Sequence, residues 1–478
     1  MNFGIISYVL GWVLNIEAVC MLLPFICSVI YNEPMKWVFP VCAFLCAVIG
    51  IPLILITSKQ KTMYAKEGFV SVALSWIVIS IFGALPFVLS GSIPNFIDAL
   101  FETASGFTTT GASILTDVEA LPKSMLFWRS FTHWIGGMGV IVFLVAILPV
   151  AGGNNLHLLR AESPGHSVGK LVPRVRSTAK ILYLIYIALT VLQIILLLLG
   201  GLDLFEASTI TFGTAGTGGF AVKNSSIGGY SSYIQYVVTI FMIIFGIDFS
   251  FYYLILMRKI KNAFKMEEVI SYICIITASV ALISINVNSM YNSVGETIKH
   301  SAFQVASIIT TTGYATTNFD MWPQFSKTIL VLLMFCGACT GSTGGGMKVS
   351  RITLLCKSII KEIKMLTHPK STIKVKFNGR VLEHETLRGI NVFFVAYILI
   401  FAGALVIISL DNFDFTTSFT AVAATLGNIG PGLGMVGPTG NFAMFSPLSK
   451  IVFTAIMIVG RLEIFPILVL LSSKTWKR

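Results

Sequence analysis

FTTTGAS at residues 107–113 decides the fold, because the same kind of Thr/Gly string returns three more times: GTGGF at 216–220, ITTTGYATT at 309–317 and GNIGPG at 427–432. Each follows a short amphipathic stretch and precedes a long apolar one. Glycine admits backbone conformations that other residues avoid, and small hydroxyl neighbours keep the strand narrow. A string of this kind can therefore turn successive carbonyl oxygens toward a dehydrated cation, and four of them make a ring. The spacing relates the copies: ten positions separate Phe101 from Gly111 and again Phe303 from Gly313. Phe205-Glu206 repeats the lead-in Phe101-Glu102 but runs longer before Gly219, and the fourth copy has drifted most.

Outward from the strings, the chain is apolar. Of 478 residues 55% are hydrophobic and only 11% charged, against about 25% charged in ordinary soluble domains. Crossing a bilayer takes roughly 20 apolar residues. Windows at 37–58, 68–97, 181–202, 224–247, 269–295 and 389–410 meet that length. About ten spans are expected, helical because lipid leaves the backbone no other partner. The formal charge of +12 does not point to nucleic acid, since lysines and arginines collect in alternate connections: Lys59, Lys61 and Lys66; Arg160, Lys170, Arg174, Arg176 and Lys180; Arg258, Lys259, Lys261 and Lys265; Arg351 through Arg388; and Lys474, Lys477 and Arg478. By the positive-inside rule these are cytoplasmic, with both termini inside and the strings toward the outer face. No basic residue precedes the first apolar run, so 5–30 reads as a retained span. The eight cysteines form no extracellular pairing pattern and imply no disulfides.

The expected architecture is an all-α polytopic membrane protein: two N-terminal helices, then four helix–pore loop–helix repeats around one central pore. The boundaries are an N-terminal pair at 1–63 and repeats at 64–165, 166–263, 264–387 and 388–478. Asp98, Asp203 and Asp414 each open a half-length helix, where an acid suits the positive helix end. Each such helix ends at a string, so four partial negative ends converge and favour a central cation. Segments 223–229, 318–324 and 432–445 are expected to build an outer vestibule. The basic segment 356–387 reads as a partner-docking piece or as a solvated loop.

At this point the residues resemble the Trk/Ktr/HKT superfamily of potassium transporters, and within it the TrkH type of bacterial uptake subunit. FTTTGAS, TGGF, ITTTGYATT, NIGPG and the late GRLEIFP at 460–466 carry the likeness, in that order. The resemblance implies a pore-forming K⁺ uptake subunit in the cell (inner) membrane, with K⁺ as the transported ion and no cofactor. It also implies a homodimer with one pore per subunit and a cytosolic nucleotide-binding regulatory subunit of the TrkA/KtrA type. The ion-coordinating candidates are Thr109, Thr110 and Gly111; Gly218 and Gly219; Thr311, Thr312 and Gly313; and Asn428, Ile429 and Gly430. In the plant branch a serine at the first filter position goes with Na⁺ preference; Gly111 stands there and supports K⁺. Na⁺-coupled or Na⁺-conducting transport within the same superfamily, including symport, is the rival reading.

Two features lie beyond the strings. Gly337, Gly341, Gly344, Gly345 and Gly346 crowd the second helix of the third repeat. At about 1 kcal/mol each relative to Ala they should unwind it, and unwound backbone at membrane depth must be buried in protein or line a wet cavity. A loop across the pore below the strings is expected, which the resemblance implies as the gate; close helix packing through small residues is the alternative. Arg461 sits mid-span, where a charge needs a partner or cavity. It is expected to hold carbonyls of the glycine loop, with an ion pair to Asp248 as the alternative. Cys336 and Cys339 form a CxxC without a second pair, and 341–346 has Walker-type glycines but Met347 where the lysine belongs. No catalytic constellation appears, so an enzyme is not expected.

Overall fold

Helices account for most of the described residues because hydrocarbon offers backbone N–H and C=O groups no partner but each other. The computed structural model describes residues 1–55, 65–147, 175–369, 373–382 and 384–476. The expected boundaries at 63/64 and 165/166 lie outside them, as do Lys59, Lys61, Arg160, Lys170, Arg174, Lys477 and Arg478.

Three helices come before those that frame the first string: α1 (Phe3–Cys20), α2 (Leu22–Ile30) and α3 (Val38–Leu55). Around the first string stand α4 (Ala65–Leu89), the short α5 (Phe96–Phe107) and α6 (Lys123–Ile147). The second is framed by α7 (Val175–Leu199), the short α8 (Leu204–Ala215), α9 (Ser232–Phe245) and α10 (Phe249–Leu256), after which comes a single turn, α11 (Ile260–Ala263). The third has α12 (Glu267–Val287), the short α13 (Val294–Ile309), α14 (Gln324–Cys336) and α15 (Val349–Thr367). A small antiparallel hairpin, β1 (Lys376–Phe377) with β2 (Arg380–Val381), leads into α16 (His384–Ile408). The short α17 (Phe415–Leu426), α18 (Pro447–Arg461), α19 (Phe465–Leu471) and α20 (Ser473–Trp476) complete the chain.

Among the described residues six helices are long and apolar enough to cross a membrane, and two bent pairs raise this to eight. The pairs are α9 with α10, bent by 88°, and α18 with α19, bent by 120°. Against the ten spans expected, the shortfall has a physical cause. α6 is bent at Gly139, which has the non-helical φ of 74° and ψ of 143°, and α14 has only 13 residues before the backbone breaks at Gly337. The termini gather at one end of the molecule: Asn2 N donates to Glu67 Oε1 at 3.3 Å, Lys66 Nζ to Lys474 O at 3.3 Å, and the Phe3 and Trp476 rings stack at 6.3 Å.

The helices that stop at the strings are short by design of their sequence. Twelve residues in α5, α8 and α17 reach about 18 Å, roughly half a bilayer. Asp203 Oδ1 caps α8 by accepting from Glu206 N at 2.8 Å, and Asp414 Oδ2 caps α17 by accepting from Thr417 N at 3.0 Å. α5 differs from expectation: Asn95 is its cap, and Asp98, inside the first turn, instead accepts from Lys450 Nζ at 2.7 Å. Ser293 caps α13 through Glu296 N.

The described part of the basic segment 356–387 packs on its neighbours instead of standing free in solvent. Leu354, Val375, Phe377 and Ile390 form a small core of their own, and Glu267 N donates to Asn378 Oδ1 at 2.8 Å. Lys357 pairs with Glu267 in the same place.

Bonds from Thr417 hold the Asp414 carboxyl below its ordinary range, so the cap contributes above the usual carboxylate pKa and fades as pH falls through the depressed value. Asp414→Ala is expected to lower stability by about 1 kcal/mol, with Asp414→Asn retaining most of it. Thermal unfolding of the detergent-solubilised chain at neutral pH checks both, and the gap between wild type and Asp414→Ala should narrow in acid.

Candidate functional site

All four short helices end in one conformation. The capping residues are Thr108, Gly216, Thr310 and Gly427. The residue after each cap has positive φ: Thr109 at 55°, Thr217 at 56°, Thr311 at 59° and Asn428 at 54°. Two residues on, Gly111, Gly219, Gly313 and Gly430 take φ of 80°, 76°, 83° and 97°. In each copy the αL residue donates back three positions, as Thr109 N does to Gly106 O at 3.1 Å. The next residue donates back five, as Thr110 N does to Ser105 O at 2.9 Å. These are the two bonds of a Schellman motif, repeated four times, and they satisfy carbonyls that a helix end buried in a membrane would otherwise orphan. Positive φ at three threonines is an outlier for a β-branched residue; strain of this kind costs on the order of 1–3 kcal/mol per residue and collects where function over-determines the backbone.

The common conformation aligns the second string, whose register the sequence left least secure. Thr217 is the partner of Thr109, Thr311 and Asn428, a site residue the sequence reading missed. The signal was its distance of two residues from the string's glycine.

The strings close a ring. A methyl group added to Gly111 would overlap Gly218 O, one on Gly219 would overlap Thr312 O, and one on Gly313 would overlap Ile429 O. On Gly430 it would come 2.7 Å from Thr110 O. In every case the carbonyl belongs to the residue before the neighbouring string's glycine, so the order runs one, two, three, four and back to one. Thr109, Thr110, Thr217, Thr311, Thr312, Asn428 and Ile429 are all fully buried in it.

Side chains brace the ring from behind. His133 Nδ1 lies 2.7 Å from Gly106 O, and its Nε2 accepts from Phe220 N at 3.2 Å, which selects the neutral imidazole with its proton on Nδ1. Arg129 and Glu102 form an ion pair at 2.6 Å, both nearly inaccessible to solvent. Glu102 also accepts from Ser113 Oγ and Ile114 N, while Arg129 donates to Ala221 O at 2.9 Å and stacks on Phe220. The pair thereby ties the chain leaving string one to the chain leaving string two. Asn428 Nδ2 donates to Thr110 Oγ1 and Met457 O, both at 2.9 Å, locking string four to string one.

On one side of the ring lies a cavity of about 160 Å³, and all four glycines line it. Lys223, Asn224 and residues 436–442 line it as expected of a vestibule, but residues 318–324 do not, and Ala112, Ser113, Leu115, Thr116 and Val118 take their place. Asp117, bonded to Asn224, has its carboxyl held below the ordinary range by that bond.

Against the other side lies the glycine loop, between the end of α14 at Cys336 and the start of α15 at Val349. Gly345 N donates to Thr311 Oγ1 at 2.7 Å. A methyl on Gly345 would come 2.8 Å from Asn428 Cβ, and one on Gly344 would come 3.0 Å from Thr310 O. The loop is thus both unwound and packed at glycine distance on strings three and four. Gly341 and Gly346 have φ of 78° and 73°, as has Lys348 at 73°. Lys348 Nζ donates to Gly344 O, and Glu268 Oε1 clasps both ends of the loop by accepting from Thr340 N at 2.6 Å and Ser350 N at 3.1 Å.

Arg461 reaches this loop. Its Nη1 donates to Thr343 O at 2.8 Å, and Nη2 donates to Gly136 O and, at 3.1 Å, to Gly137 O. It therefore spans from the loop to the bend of α6. Asp248 caps α10 through Ser250 N and lies beside Gly341; among the described residues it forms no salt bridge with Arg461. Glu463 pairs with Arg351, which stacks on Phe393. Lys348, Glu268 and the Arg351–Glu463 pair were not singled out from sequence, because their roles arise from partners 70 or more positions away or from the loop's fold. Among the described residues no group of three or more His, Cys, Asp or Glu side chains could hold a metal ion.

Long apolar helices around buried helix ends and a closed backbone ring define a multi-pass membrane transport protein. Residues 36–478 match the model of the TrkH family, described as cation transport proteins. The chain is 37% identical to the Trk system potassium uptake protein TrkH of Escherichia coli and 36% identical to that of Vibrio parahaemolyticus, over 100% of each chain. Its fold matches the crystal structure of the potassium transporter TrkH from Vibrio parahaemolyticus with a TM-score of 0.89, at 34% identity and 100% coverage of both chains. The chain belongs to the TrkH family of cation transport proteins.

Glu102→Gln is expected to cost roughly 3–5 kcal/mol, because it leaves Arg129 buried without its counter-charge. Replacing both, as Glu102→Gln with Arg129→Met, should recover much of the loss. Melting points of the single and double variants measure the difference.

Proposed function

We propose that this chain is the pore-forming subunit of a K⁺ uptake system, conducting K⁺ inward through the ring of four strings. The observation that carries this reading is the closed register of the ring, in which each glycine abuts the carbonyl preceding the next glycine. A ring of backbone oxygens can replace the hydration shell of a monovalent cation. Thr109, Thr110, Gly111, Gly218, Gly219, Thr311, Thr312, Gly313, Asn428, Ile429 and Gly430 are the coordinating stretch, with Thr217 added. The membrane potential supplies about 2.3 kcal/mol per charge per 100 mV, sufficient to drive K⁺ inward without a chemical step. The relatives that match over the full length are potassium uptake proteins, which favours the same ion.

In this reading the loop with Gly341, Gly344, Gly345 and Gly346 is the gate, seated against strings three and four, and Arg461 is its latch. The guanidinium's planar fork suits several carbonyls at once. A homodimer in the cell membrane, cytoplasmic termini and a cytosolic nucleotide-binding regulator complete the proposal. The common location of the two termini agrees with it.

Rb⁺ uptake into liposomes holding the purified chain, with Na⁺ and Li⁺ as competitors, tests the ion assignment. K⁺ should compete and Na⁺ should not; equal competition by Na⁺ would favour the sodium-conducting reading. Gly111→Ser places a side chain on a backbone at φ 80°, where it would overlap Gly218 O. It should reduce discrimination against Na⁺, and a folded variant with unchanged selectivity would sink the filter assignment.

Arg461→Ala, or deletion of 344–346, is expected to raise flux, with Arg461→Lys intermediate. A folded variant that conducts no better than wild type would count against a gating loop.

A further inference from the structure

Glu17 stands midway along the first apolar span, Phe3–Ile30, and is 4% exposed. Among the described residues neither of its carboxyl oxygens has a hydrogen-bond partner. A carboxylate buried in that state is very costly, and the usual remedies are a cation or several N–H donors. α1 packs on α2, α3, α4 and α6. The titratable groups that face Glu17 are thiols: Cys20 on its own helix, and Cys42 and Cys46 on α3. α2 carries no charged residue. Glu67 of α4 lies at the far end of α1, where it accepts from Asn2 N. On α6, Lys123 sits over the Tyr31 ring, Arg129 is paired with Glu102, and His133 is held by Gly106 O and Phe220 N.

Its neighbour across α4 is the first short helix. A methyl on Gly83 would come 3.1 Å from Glu17 Oε1, 2.8 Å from Thr103 Cγ2 and 2.7 Å from Phe107 Cε2. Only a glycine's width therefore separates the carboxyl from Thr103 and Phe107 on the flank of α5, Phe107 being the last residue of that helix and the first of string one. The C-terminus of a helix carries a partial negative charge of about half an electron, so an ionised Glu17 beside it would be repelled and a neutral one would not.

We propose that Glu17 is a proton-binding site inside the bilayer, a neutral carboxyl whose charge state acts on α5 and, through it, on string one. By linkage, whatever shifts string one shifts proton affinity at Glu17 equally. The site should accept a hydrophobic carbodiimide. The acid proton passes to one carbodiimide nitrogen as a carboxylate oxygen bonds to the central carbon. The acyl group of the resulting O-acylisourea then migrates to the other nitrogen, leaving a stable N-acylurea with nothing released.

The test treats the full chain in liposomes with dicyclohexylcarbodiimide and maps the adduct by peptide mass. One adduct at Glu17 is expected, with a yield that falls as pH rises, and with none in Glu17→Gln, which should melt where wild type does. Cation uptake by the labelled wild type should drop, and uptake by treated Glu17→Gln should not. If the folded wild type shows no Glu17 adduct while the denatured chain reacts, the proton site is overturned. Full labelling with unchanged uptake overturns the link to the ring. Should Glu17→Gln not fold, labelling of the wild type and its pH dependence decide the first point, and uptake by labelled wild type decides the second. The labelling arm does not depend on which cation the chain carries, so its outcome is separate from the K⁺ assignment.

Discussion

A helix that ends inside an apolar interior leaves carbonyl groups that its surroundings cannot satisfy, and four helices of this protein end at buried strings. The rest of the structure depends on how those ends are closed. Each uses the αL cap, so each needs one residue at positive φ followed two places on by a glycine, and the chain places a threonine or asparagine at the first position and glycine at the second. Closing the ends in this way also turns the backbone so that the carbonyl before each glycine meets the next string. Satisfying four helix ends and building a ring of oxygens are thus one structural event. The strain at Thr109, Thr217 and Thr311 is held by the full burial around them.

The charges buried near the ring follow from the same constraint, because irregular backbone at this depth must be fastened by something. Glu102 and Arg129 fasten the chain leaving strings one and two, and His133 joins the end of α5 to Phe220. On the loop side the cations Lys348 and Arg461 donate to carbonyls, while Glu268 accepts from N–H groups at both ends of the loop. Cations are matched to exposed carbonyls and anions to exposed N–H groups, the pairing that unwound backbone requires. The two sharp bends, between α9 and α10 and between α18 and α19, adjoin this loop: Phe249 N donates to Gly341 O, and Arg461 at the second bend donates to Thr343 O. Broken helices here buttress other broken helices.

How far the sequence could be read depended on whether a feature was local. The strings were legible because glycine and hydroxyl residues repeat at a fixed distance from a short amphipathic helix. The unwinding at 337–348 was legible because glycine cost is a local quantity. Asp203 and Asp414 were legible as caps for the same reason. Asp98 stands in the first turn of its helix as read, but its pairing with Lys450 was not legible because that partner lies more than 300 residues away, and Asn95 supplies the cap. The vestibule was half legible: segments after strings two and four line it, but which remaining segment joins them is decided by how the repeats sit around the ring. Thr217 was missed because string two replaces the flanking threonines with glycines, and only its backbone shows the register.

Composition and the alternation of basic connections determined, from sequence alone, that the chain is a helical membrane protein, and the four strings determined that something converges at its centre. Both are one-dimensional properties, since a bilayer selects for apolar length and a helix end selects for glycine within a few residues. Tertiary structure alone decided that the strings close in cyclic order, that the loop rests on strings three and four, and that Arg461 reaches carbonyls of both the loop and α6. Those facts are sums over contacts between residues as much as 325 positions apart. No local preference encodes such contacts; they exist because once the helix ends are buried, every remaining polar group near them must find its partner across the fold.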